Sequence, residues 1–308
     1  MVSITVKSRS KALKELITDE LTPESSTAEL ITLVSDSGEL SPSRIRLTLL
    51  GSDGKHKPLD ASKSLADNGL ALDAKNVTYY AKDMGPQIGW RTVFVIEYLG
   101  PLLIHPFFYY LNIFGQDYSR TQTIAFFLVT LHFLKRELET LFVHRFSNST
   151  MPFFNVFKNS GHYWILSGFN LSFFVYSKNF QDWRRYLFSV NDLPLPAVLF
   201  LTGLWIFAEL SNLKTHIALS NLRSKDPKRY VIPKGYGFDQ VACPNYFFES
   251  LSWLAYAVLV GNWSAWLFLI VSVVQMYLWA IKKNRRYLKT FGDDYKKLRR
   301  AVFIPFIL

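Results

Sequence analysis

The chain changes its hydrophobic rhythm once, near residue 85. Before that point Val2, Ile4 and Val6 fall on every second position, the pattern of a strand with one buried face. Leu13, Leu16 and Ile17 carry the pattern into a second strand after a short turn. Ser25-Ser-Thr-Ala-Glu29 then offers an N-cap and an acidic first turn, opening a helix through Leu30, Leu33 and Val34. Arg46–Gly51 and Val77–Ala81 read as further strands, with a short turn at Leu65–Leu70 between them. Beyond the linker Lys82-Asp-Met-Gly-Pro-Gln87 the apolar runs approach membrane-spanning length. They cover Trp90–Phe114, Thr123–Phe142, the shorter His162–Tyr176, Leu193–Leu213, Pro244–Val260 and Trp263–Ile281. The pattern predicts a small α+β cytosolic head over residues 1–82 and an all-α polytopic membrane domain of about six transmembrane helices over residues 83–308.

The head's order of strand, strand, helix, strand, short helix, strand resembles the ubiquitin-like β-grasp fold; an α+β domain of another topology is the alternative. Nothing in the head points to chemistry. The net charge of +11 would suit nucleic acid, but basic residues flanking the spans explain it with less effort. Lys282, Lys283, Arg285, Arg286 and Lys289 follow the last span, and Arg223, Lys225, Lys228, Arg229 and Lys234 follow the fourth. The loop after the first span has only Arg120, so the head, the even loops and the tail are expected in the cytosol, against the exception of Arg184 and Arg185. The sequons at Asn76 and Asn148 would then go unused, and the one at Asn262 lies too near the bilayer. No cleavable signal peptide opens the sequence. A single cysteine, Cys243, excludes an intramolecular disulfide and gives no metal-site spacing, so no metal is expected.

Chemistry concentrates between Asn212 and Glu249, which reads as a loop leaving and re-entering the membrane with Asn, His, Arg, Tyr and Glu at its edges. Hydrocarbon penalises unpaired polar groups, so this stretch is read as the roof of a buried cofactor site. Glu97 within the first span is a functional candidate for the same reason, or else a structural partner for a buried Arg or Tyr. Lys135, Arg136, Glu137, Glu139, His144 and Arg145 are either a solvated helix end with pairs such as Arg136–Glu139, or a phosphate-binding edge. Asn245, Tyr246 and Glu249 fall within one turn after Pro244, and Tyr246 suits a neutral proton donor; its alternative is an interfacial belt tyrosine. His105, His132 and His162 lie among aromatics and are taken as structural. With no Gly-x-Gly-x-x-Gly after a strand, no P-loop and no His-x-x-x-His pair, any nucleotide must be held by the membrane domain itself.

Several motifs, among them Lys135-Arg-Glu-Leu-Glu-Thr-Leu-Phe-Val-His-Arg-Phe-Ser147, Thr150-Met-Pro152, Lys158-Asn159, Cys243-Pro-Asn-Tyr-Phe-Phe-Glu249, Tyr287-Leu-Lys289 and Ile304-Pro-Phe306, closely resemble the very-long-chain trans-2-enoyl-CoA reductases of the steroid 5α-reductase family. The resemblance covers nearly the whole chain, including the head. It implies a multi-pass endoplasmic-reticulum enzyme of very-long-chain fatty-acid and sphingolipid metabolism, performing the last step of each elongation cycle. NADPH would deliver hydride to C3 of a trans-2-enoyl-CoA and a proton would be added at C2. The family's catalytic pair falls on Glu97 and Tyr246, and its cofactor contacts fall on Arg136, Asn212, Arg223, Tyr230, Asn245, Glu249 and Tyr287. The implied partners are the bilayer and the elongase, ketoacyl-CoA reductase and dehydratase of the cycle; no nucleic acid is expected. Two positions depart from the steroid enzymes. His216 replaces an acidic residue, and Phe133 stands where they have their catalytic tyrosine, which moves that role to Tyr246. Competing readings are a reductase of a 4-ene-3-ketosteroid or other lipid enone, an S-adenosylmethionine-dependent membrane methyltransferase, and a non-catalytic scaffold.

Overall fold

A computed structural model describes residues 2–71, 75–146, 149–225 and 230–306, with only the backbone described for 223–225. The chain divides into two compact units, Met1–Gly89 with Asn148–Asn155, and Trp90–Ser147 with Val156–Leu308.

In the first unit the alternating N-terminus forms β1 (Ser3–Ser8), which runs parallel to β5 (Asn76–Asp83) and antiparallel to β2 (Leu16–Thr18). β3 (Ile45–Leu50) pairs antiparallel with β5 and with β4 (His56–Pro58), giving the sheet order β2-β1-β5-β3-β4. The register sets Ile4 opposite Val77 and Val6 opposite Tyr79, so every second side chain enters one core. Helix α1 (Thr27–Ser37) is opened by Ser26, whose hydroxyl accepts from Ala28 N at 3.0 Å, and contributes the fully buried Leu30 and Val34. β6 (Gln87–Gly89) pairs with β7 (Thr150–Pro152) in a separate two-stranded ribbon. The three-residue strands β4, β6 and β7 lie outside the strands predicted from the sequence, being too short to carry a periodic pattern.

The second unit is helical. α2 (Trp90–Leu111) carries Pro101 and Pro106 in its interior, and α3 (Arg120–Leu138) opens with a capping box between Ser119 and Gln122. A π-helical turn, Glu139–Val143, extends α3. α4 (Asn155–Ser160, its first residue belonging to the other unit), a π-helical stretch Gly161–Asn170 and α5 (Leu171–Tyr176) form one continuous segment, followed by the single turn α6 (Arg185–Phe188). Then come α7 (Leu195–Lys225), α8 (Pro244–Val260), α9 (Trp263–Phe291) and the short α10 (Asp293–Lys296). Among the described residues, three helices are long and apolar enough to cross a bilayer: Trp90–Leu111, Leu195–Leu222 and Trp263–Phe291.

One detail differs from the sequence reading. α7 continues to Lys225, so Asn212 to Arg223 is helical and not a loop. Neither Gly nor Pro interrupts that stretch, and Asn212, Thr215 and His216 recur on its buried face. Close packing also dictates small residues at particular points. A side chain at Gly100 would overlap the Trp164 ring, whose Nε1 donates to Ile96 O at 2.8 Å. Gly261 ends α8 at φ 80°, and its pro-side-chain space is filled by Asn191, which donates to Val258 O at 2.8 Å.

Candidate functional site

α3, α7 and α8 each place polar residues at helical spacing on the face they turn toward one another. α3 and its π-turn offer His132, Lys135, Arg136 and Glu139; α7 offers Glu209, Asn212 and His216; α8 offers Asn245 and Glu249. Together they make one connected network. His132 Nδ1 lies 2.7 Å from Glu209 Oε1, and its Nε2 lies 3.3 Å from Glu249 Oε1. Lys135 Nζ is 2.7 Å from Glu209 Oε2 and donates to Asn212 Oδ1 at 2.7 Å. Arg136 donates to Glu139 Oε2 at 2.6 Å and to the Tyr98 hydroxyl at 2.7 Å, with His216 Nδ1 at 3.2 Å. Asn212 Nδ2 closes the circuit by donating to Asn245 O at 2.9 Å. Glu139, Glu209, Asn212 and His132 are each at most 5% exposed. Charges this deep are tolerated only when paired, and keeping them between apolar helices points to a ligand-binding or catalytic purpose.

Glu139, His144 and His216 bring ligand-capable atoms within 4.8 Å of one another. Arg136 already supplies positive charge to Glu139 and His216, so the trio acts as part of an ion-pair cluster. Cys243 is buried at the N-cap of α8, and burial pushes its thiol up to about 12, which leaves it protonated and a poor nucleophile.

The network holds Arg136, Asn212, Asn245 and Glu249 of the residues expected from sequence. Glu97, 2% exposed, accepts from Asn159 Nδ2 at 2.6 Å and immediately precedes Tyr98, the partner of Arg136. Tyr246, half-buried, faces Trp279 at 6.1 Å between ring centroids and packs on the small cluster around Met276, Ala280 and Phe303. Tyr230 and Tyr287 stack at 5.5 Å, Phe291 stacks on Tyr230 at 5.7 Å, and the Arg286 guanidinium lies 4.4 Å from the Tyr230 ring. The side chain of Arg223, and the Asn148 sequon, lie outside the described residues. Asn262 is wholly buried as the N-cap of α9.

His132 and Glu209 are the residues the sequence reading missed. His132 had been assigned a structural part among aromatics, yet it bridges two carboxylates. Glu209 carried the signal that singled out Glu97, a carboxylate within an apolar span. The helix end at Arg136–Glu139 is not solvated: Glu139 is 1% exposed.

The helical unit thus combines helices long and apolar enough to cross a bilayer with a buried acid–base and amide network between α3, α7 and α8. Residues 149–308 match the family described as 3-oxo-5-alpha-steroid 4-dehydrogenase. Over 313 residues, spanning 100% of both chains, the sequence is 46% identical to a Schizosaccharomyces pombe relative whose assigned name is that of an enoyl reductase. It is 37% identical to the very-long-chain enoyl-CoA reductase of Dictyostelium discoideum over 316 residues, again 100% of both chains. It is 33% identical to the mouse protein named trans-2,3-enoyl-CoA reductase-like, over 75% of this chain and 65% of that one. The chain belongs to the steroid 5α-reductase family and groups there with its enoyl-CoA reductases. That family works with a nicotinamide cofactor.

Proposed function

We propose that this protein is an NADPH-dependent reductase of very-long-chain trans-2-enoyl-CoA, carrying out the final reduction of the fatty-acid elongation cycle. The observation that carries the reading is the buried network linking His132, Lys135, Arg136, Glu139, Glu209, Asn212 and Glu249 inside a helical unit similar along its whole length to enoyl-CoA reductases. The donor set fits a nicotinamide nucleotide. Asn212, Asn245 and Glu249 offer the mixture of donors and acceptors that a carboxamide requires, Arg136 and Arg223 suit phosphate oxygens, and the Tyr230–Tyr287 stack beside Arg286 suits a nucleotide's flat and charged portions. When bound, the cofactor supplies hydride to C3 of the enoyl thioester. Negative charge then develops toward the thioester oxygen, and C2 takes up a proton. Tyr246 is the neutral hydroxyl assigned to stabilising that charge or delivering the proton, and Glu97, fixed by Asn159, holds the other side of the site.

In this reading α3, the continuous α4–α5 segment and α8 join the three long apolar helices as six spans. The head, with its mixed five-stranded sheet and single long helix, is a ubiquitin-like β-grasp domain over residues 1–82. The enzyme resides in the endoplasmic-reticulum membrane with both termini cytosolic, beside the elongase, ketoacyl-CoA reductase and dehydratase whose product it reduces. Phe133, wholly buried between Tyr98 and Trp253, has no hydroxyl to serve a steroid ketone. The test is NADPH oxidation by purified protein on a long-chain trans-2-enoyl-CoA, with Tyr246→Phe alongside. Wild-type turnover that falls by about two to four orders of magnitude in the variant, with NADPH still bound, is the expected result. Preferential turnover of a 4-ene-3-ketosteroid, or an undiminished variant, would overturn the assignment.

A further inference from the structure

Two cavities of opposite character meet at the π-turn after α3. One, of about 490 Å³, is lined by Arg91 at the start of α2, by His144 and Arg145, and by Ser220 and Asn221 on the last turns of α7; among the described residues no carboxylate lines it. Burial, with Arg136 and His216 nearby, pushes His144 down to about 3, so the positive charge of this cavity comes from the two arginines. The other, of about 410 Å³, is an apolar groove between α3 and α7, walled by Leu131, Leu134, Leu138 and Leu213. Phe142 and Val143 line both cavities, so the basic one and the apolar one share a wall. Leucines facing lipid are ordinary on a membrane helix. This groove differs in that Lys135 and Glu139, members of the buried network, also line it.

We propose that the acyl-CoA substrate lies along this face, its nucleotide phosphates in the Arg91–Arg145 cavity and its hydrocarbon chain in the α3–α7 groove. The inference rests on the enoyl-CoA reading and adds where each part of the substrate goes. An acyl-CoA is a phosphorylated nucleotide joined to a long hydrocarbon, which matches a dicationic cavity beside an apolar groove; a bilayer phospholipid shares phosphate and hydrocarbon but not the nucleotide, which the comparison of CoA with pantetheine esters isolates. Guanidinium pairs suit phosphate oxygens bidentately, and both cavities fall within the roughly 300–1,000 Å³ usual for small-molecule sites. The pantetheine arm would cross the shared wall near Phe142 and Val143, next to Lys135 and Glu139. Asn212, the amide bonded to Lys135, lies on the network side of that point, where the cofactor residues gather.

The test uses intact protein in detergent. Wild type is first assayed with NADPH on trans-2-enoyl thioesters of four and twenty carbons, as CoA esters and as pantetheine esters lacking the nucleotide. No turnover of any of them would defeat the functional reading itself, and this proposal with it. If wild type is active, R91Q/R145Q is expected to raise KM for the CoA esters relative to the pantetheine esters by about tenfold or more, with the NADPH Kd from fluorescence titration unchanged. L134W, which fills the groove, is expected to raise KM for the twenty-carbon ester while sparing the four-carbon ester. A weakened NADPH Kd in R91Q/R145Q with an unchanged CoA-to-pantetheine ratio would assign the basic cavity to the cofactor and overturn the proposal. An equal effect of L134W on both chain lengths would remove the acyl chain from the groove. Retained NADPH binding shows that each variant is folded.

Discussion

The two units of this protein bury side chains of different kinds. The head's core is Ile4, Val6, Leu30, Val34, Leu47, Leu65 and Tyr79, and the buried polar residues recorded with it are Thr27, Ser35 and Thr48. The helical unit buries Glu97, His132, Glu137, Glu139, Glu209 and His216 among its aromatics. A core that only has to hold a fold has no use for ions, because each must be desolvated and then re-paired at a cost of several kcal/mol. The head is therefore a packing solution, and the helical unit is a packing solution organised around a buried polar network, which we propose as the cofactor site. The same contrast appears in the paired charges. Arg44 and Asp83 in the head pair near the surface, whereas Lys135 and Arg136 pair with Glu139 and Glu209 where water is scarce.

The contrast can be broken most severely at its centre. His132→Ala leaves Glu209 and Glu249 facing one another without their shared partner, and we expect about 3–5 kcal/mol of lost stability together with lost NADPH binding, read by thermal melting and fluorescence titration. Leu30→Ala empties a fully buried site in the head and should cost about 2–5 kcal/mol there, seen as faster hydrogen exchange in β1 and β5, while reductase turnover by the helical unit persists. Gly100→Ala drives a methyl group against the Trp164 ring. It should lower the melting temperature by the equivalent of about 1–3 kcal/mol and disturb the helix that carries Glu97. The smallest effect is electrostatic. Hydrogen bonds from Arg44 hold Asp83 below the usual carboxylate range, so its contribution is complete above the unfolded pKa of about 4 and disappears as pH falls through the depressed value. Asp83→Asn should lower head stability slightly at neutral pH, where the Arg44 pair is intact, and change nothing below the depressed pKa, so that the acid limb flattens.

Much of this was legible in the sequence for plain reasons. Alternation at Ile4 and Val6 needs no context to predict a half-buried strand, and Ser26 before Glu29 marks a helix start wherever it occurs. The Cys243-Pro-Asn-Tyr motif likewise placed the start of α8. Strands as short as His56–Pro58 exist only because a neighbouring strand pairs with them, which no local pattern reports. α7 runs past its expected end because the change from apolar to polar at Asn212 and His216 reads as the start of a loop, although a buried network makes a helix face polar in the same way. His132 is unremarkable alone and gains meaning only when the fold sets it 2.7 Å from Glu209, whereas Glu209 is marked in the sequence by its place within an apolar span.

The central claim is that the α3–α7–α8 network holds the nicotinamide cofactor, and it is tested most directly by NADPH fluorescence titration of wild type against Glu249→Gln. The substitution preserves shape while removing the carboxylate charge beside His132. The account predicts an affinity weakened by about tenfold or more in a protein whose melting temperature shows it folded. Equal affinity in a folded Glu249→Gln protein would contradict it, and would place the cofactor elsewhere in the helical unit.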